Sequence, residues 1–145
     1  MRRRIAAILA GFVVANIVIF ALEALGHVIY PPPPGLDLTK PEAFRTMVSQ
    51  MPPGAFVVLL VGWLAGTAAG VATAQRINRA PTLLPGLVVG TMLFAATAYN
   101  FSIIPHPLWV VVAALVGIPI VTGLATRAAT PRLSAATPAT PATPR

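Results

Sequence analysis

The chain has no cysteine among its 145 residues, so disulfides, thiol nucleophiles and thiolate metal sites are excluded. Charge is nearly as scarce. Asp, Glu, Lys and Arg make up 9% of the residues, and only three residues are acidic. A soluble domain has about a quarter of its residues charged. Here 57% are hydrophobic and the mean hydropathy is +0.82, which points to an all-α integral membrane protein. Also missing are a Ser-His-Asp arrangement, a phosphate-binding glycine loop, a dinucleotide fingerprint and a His-Glu-x-x-His helix. No complete catalytic constellation is left. The net charge of +7 does not indicate nucleic acid, because the basic residues flank apolar runs and form no basic face with interleaved aromatics.

What is present is apolar length. Arg2, Arg3 and Arg4 precede a run from Ile5 to Leu25. Secretory apolar regions are roughly 7 to 15 residues long and a membrane span needs about 20, so this is an uncleaved membrane helix. Three further runs give expected helices over about 5–29, 54–75, 82–101 and 108–127, all within one transmembrane domain, 1–130. Pro119 should kink the last of them.

Between the first two spans, Pro31 to Pro34 should leave the helix as a stiff polyproline strut, and Gly35 permits a turn. Thr39 and Glu42 have capping-box spacing. Phe44, Met47, Val48 and Met51 then recur at three- and four-residue intervals, predicting a short amphipathic helix over about 40–51 on the membrane surface. The Ala-Thr-Pro repeats within 131–145 lack apolar bulk and read as a disordered tail.

Four spans place Arg2, Arg3, Arg4, Arg76, Arg79, Arg127, Arg132 and Arg145 on one side, with Lys40 and Arg45 on the other. Eight against two satisfies the positive-inside rule with both termini cytoplasmic. The expected setting is a multi-pass protein of a bacterial inner membrane, with the lipid bilayer as its main partner. Gly62, Gly66 and Gly70 repeat at four-residue spacing, as do Gly86 and Gly90. Such stripes let membrane helices approach closely, either inside one bundle or in contact with a second copy or another membrane protein.

The chemistry-bearing residues gather on the outer side. Glu23 and His27 are four apart on one helix face. Glu23 lies about 27 Å from Ile5, near the limit of a hydrocarbon core about 30 Å thick. His27 is the nearest expected partner for its carboxylate. His106, held between Pro105 and Pro107, falls on the same side, with Tyr30, Asp37 and Asn100 within reach. One carboxylate and two imidazoles can bind a divalent transition metal or relay protons. Tyr30, Trp109 and both histidines equally suit an interfacial belt with no chemistry. Trp63 is expected to face outward or fill a gap.

The pattern Glu23-Ala-Leu-Gly-His27-x-x-Tyr30-Pro-Pro-Pro, followed by Gly35-Leu-Asp37, Pro41-Glu-Ala and Ile104-Pro-His106-Pro-x-Trp109, resembles a group of small uncharacterised bacterial four-helix inner-membrane proteins. The likeness spans residues 5–127 and implies a location without an activity. The leading functional expectation is a non-enzymatic structural or partner-binding envelope protein with an outer-face polar cluster. The alternatives are divalent metal binding by Glu23, His27 and His106, and proton-coupled transport of a small solute.

Overall fold

The computed structural model describes residues 1–31 and 40–130, without the side chains of Pro41 and Phe44. Most of the polyproline strut, the Gly35 turn, Asp37, the Thr39 cap and the 131–145 tail lie outside the described residues. Among the described residues the chain is all-helical: α1 (Arg2–Ile29), α2 (Pro41–Gln50), α3 (Pro53–Asn78), α4 (Leu84–Ile103) and α5 (Leu108–Ala129). All except α2 are long and apolar enough to cross a membrane.

Proline sets many of the boundaries. A residue preceding proline is pushed out of the helical region. Tyr30, before Pro31, therefore closes α1 at φ −125°, ψ 75°, and Met51, before Pro52, closes α2 at φ −65°, ψ 133°. Pro41 and Pro53 then open α2 and α3 at first-turn positions, where a missing N–H costs nothing. Pro119 lies inside an unbroken α5.

The C-terminus of α3 departs from expectation. The expected span ends at about 75, yet the helix continues to Asn78 and ends on Arg79 in the left-handed region, φ 55°. Gln75 is only 1% exposed. Its amide N–H groups donate to the Thr82 carbonyl at 3.1 Å and to Thr130 Oγ1 at 2.6 Å, while its Oε1 accepts from the Gly86 N–H at 3.3 Å. One side chain thus ties α3 to the α3–α4 link, α4 and the end of α5. A buried amide is tolerated when both its ends are bonded. Arg3 Nε also donates to the Ile77 carbonyl at 2.9 Å, which places the start of α1 beside the end of α3. We call this the arginine end and the opposite one the proline end.

Helix α3 is central. It packs on α1 along its length and touches α4 and α5; α4 also meets α5 and, more lightly, α1. Small residues set the spacing. A Cβ on Gly70 would stand 2.5 Å from the Gly11 carbonyl oxygen, and one on Gly11 would stand 2.6 Å from that of Gly70. Gly66 likewise faces the Ala15 backbone, while Gly86 and Gly90 seat Thr126 and Thr122 of α5. Both glycine stripes are therefore filled by helices of the same chain. Their counterpart on α1 is Ala7, Gly11 and Ala15, all buried. The other face of α1 exposes Ile5, Leu9, Val13, Ile17 and Phe20, an apolar stripe suited to lipid.

The apolar face of α2 is turned to protein. Met47 and Val48 are 3% and 6% exposed and pack with Phe56 of α3 and Val110 of α5. Instead of covering lipid with that face, α2 caps the proline end. Trp63 is buried too, packing with Ala114 and Ile118, and so corrects the outward alternative.

Candidate ligand-binding site

Glu23 stands on the last turns of α1. Its Oε1 accepts a hydrogen bond from Trp63 Nε1 of α3 at 3.1 Å. The partner is therefore an indole forty residues away, not the imidazole one turn along. His27 bonds the backbone instead: its Nδ1 donates to the Glu23 carbonyl at 2.8 Å. The i, i+4 spacing does bring the two residues together, but through the main chain.

His106 follows the same rule on the link before α5. Its Nδ1 donates to the Ile104 carbonyl at 2.9 Å. The ring lies edge-on to Phe101 and Phe56, with centroids 5.1 and 6.1 Å away, and tilted to Trp63 at 6.0 Å. A carbonyl can only accept, so both histidines carry hydrogen on Nδ1. In the neutral ring Nε2 is then the acceptor.

Between these residues lies a cavity of about 190 Å³, lined on its polar side by Glu23, His27, Asn100 and His106. Met47, Phe56, Leu59 and Trp63 are among its apolar and aromatic walls. The Asn100 side-chain oxygen is enclosed and has no hydrogen-bond partner. A buried acceptor without a partner costs about 1–3 kcal/mol. A second cavity, of about 170 Å³, lies among α1, α3 and α4, with Asn16, Thr67 and Thr97 on its wall. Glu23, Trp63 and Asn100 line both cavities.

The three expected site residues thus share one cavity, with Glu23 part-buried, His106 part-buried and His27 exposed. Among the described residues no group of three or more His, Cys, Asp or Glu side chains is gathered as a metal site would be. Tyr30 lies apart, with its ring against Gly54 and in a smaller neighbouring cavity with His27 and Met51. Trp109 is 44% exposed and edge-on to Phe56.

Trp63 is the residue that sequence reasoning missed. Its signal was its position directly after Gly62. A large side chain next to a close helix contact must enter the space between helices, and an indole there brings a donor that needs an acceptor. No protein-family model, curated protein or solved structure matches this chain.

Proposed function

We propose that this is a non-enzymatic, multi-pass protein of a bacterial inner membrane that binds a small solute in the cavity at its proline end. The carrying observation is the cavity itself. It brings the Glu23 carboxylate, the Asn100 side chain and two imidazoles together among apolar and aromatic walls. Few polar groups among many apolar ones is the usual make-up of a small-molecule site. The arginine distribution supports placing both termini in the cytoplasm and the cavity on the far side.

Trp63 supplies the test, because the only other tryptophan is Trp109, outside the cavity lining. In a Trp109→Phe protein, Trp63 emission reports directly on the Glu23 contact. A broad panel of small cations, anions and neutral solutes should contain compounds that shift it saturably. A flat response across the panel from folded protein refutes the reading.

A second reading, proton-coupled transport, is favoured by one observation: Glu23 and Asn100 line both cavities, so the carboxylate stands between them. Proteoliposomes should then show solute-dependent proton movement that Glu23→Gln abolishes. Solute binding without any such flux leaves a binding protein only.

A further inference from the structure

We propose that the proline-end cavity takes an organic ammonium ion, a protonated primary amine with a small apolar or aromatic body. This rests on reading the cavity as a binding site and specifies its ligand class. The argument is one of complementarity. Both imidazoles spend their Nδ1–H groups on backbone carbonyls, leaving Nε2 to accept in the neutral ring. Asn100 contributes an enclosed oxygen without a partner. Glu23 contributes a carboxylate whose bond from the chain comes from the neutral indole of Trp63. The indole N–H is therefore already engaged, and the Asn100 amide NH2 is the other side-chain donor of the set.

A site in which acceptors outnumber donors favours a ligand made of donors. Among the described residues no lysine or arginine lines the cavity. An anion would meet the carboxylate unopposed, and a neutral ligand would leave its charge unanswered. A primary ammonium offers three N–H donors and a positive charge at one atom. Charge-assisted hydrogen bonds are roughly twice as strong as neutral ones. The remaining walls suit the remainder of such a molecule. Trp63, Phe56, Met47 and Leu59 line the cavity and offer apolar and aromatic surface to the body of the guest. A volume of about 190 Å³ also exceeds what one bare ion would fill.

The experiment uses the full-length Trp109→Phe protein in detergent, with selective tryptophan excitation. Four probes share one ring and differ in the head group: benzylammonium, benzyltrimethylammonium, benzyl alcohol and benzoate. Benzylammonium should shift Trp63 emission saturably and bind at least about tenfold more tightly than the trimethyl analogue or the alcohol, the factor expected for charge-assisted donors. Benzoate should not bind. Glu23→Gln should weaken benzylammonium by about tenfold and leave benzyl alcohol unchanged. Equal or tighter binding of the alcohol, the trimethyl analogue or benzoate overturns the ammonium class while keeping the cavity as a binding site. Silence from all four probes, with hits elsewhere in the broad panel, also overturns the class. Silence from probes and panel together overturns both readings. The native series decides the matter even if Glu23→Gln fails to fold.

Discussion

At the residue scale, the pairing of Glu23 with Trp63 governs the site. The carboxylate is held by a donor from another helix, so it is oriented by tertiary packing and not by its own backbone. Trp63→Phe keeps an aromatic ring in the core but removes the N–H. It should lower stability by about 1–3 kcal/mol, because a part-buried acceptor loses its partner. Chemical unfolding in a fixed detergent, followed by circular dichroism, measures this. A change below about 0.5 kcal/mol, the range of ordinary surface substitutions, would mean the bond contributes nothing to the fold. Sequence reasoning identified Glu23, His27 and His106 as neighbours of one site but assigned the wrong partner to the acid. Spacing along a helix reports which residues share a face. It is silent about which side chain arrives from across the gap.

At the element scale, two contacts carry clear predictions. The approach of α1 to α3 depends on backbone meeting backbone at Gly11 and Gly70. Gly70→Ala would place its methyl 2.5 Å from a carbonyl oxygen and should cost about 1–3 kcal/mol through forced separation of the helices. Gly123→Ala is the matched control, since a Cβ there meets nothing within 4 Å. It should be neutral or slightly stabilising, because alanine is the better helix former. Equal effects of the two changes would show that the close contact is not the source of cohesion.

The second contact is the docking of α2, whose Met47 and Val48 are buried against Phe56 and Val110. Because the chain has no cysteine, Val48→Cys introduces a single reactive thiol. It should react slowly with a maleimide while α2 is docked. Adding Met47→Asp puts an acid into the apolar contact and should raise that rate by roughly tenfold or more, the factor given by ~1.4 kcal/mol of lost docking energy. Unchanged reactivity would mean α2 is not seated there in solution. The amphipathic period of α2 was legible in the sequence. Its choice of protein over lipid was not, because an apolar stripe suits either surface equally well.

At the scale of the whole molecule, the expected threading puts the arginine end in the cytoplasm and the proline end across the membrane. The same absence of cysteine makes this direct to test. Ala80→Cys, on the α3–α4 link, should be shielded from a membrane-impermeant maleimide in intact cells, and Ser102→Cys, near the end of α4, should be labelled. The reverse pattern would invert the topology and move the cavity to the cytoplasmic side. Labelling of both would indicate mixed insertion, which a bias of eight basic residues to two opposes.

The sequence by itself determined the helices and their number, because apolar length and proline boundaries act locally. It also carried the small-residue stripes and the gathering of Glu23, His27 and His106 at one end of the bundle, since successive spans that each cross the bundle leave little choice of end. Tertiary structure alone decided the pairings. Gln75 is a core residue because Thr82, Gly86 and Thr130 surround it, although its polarity reads as the end of a span. The Glu23 carboxylate faces Trp63 because the close contacts of α1 and α3 through Gly11, Gly66 and Gly70 bring those two faces together. The physical reason is the same in both cases. A polar side chain in an apolar setting takes the partner that packing delivers, and packing depends on residues far away in the chain.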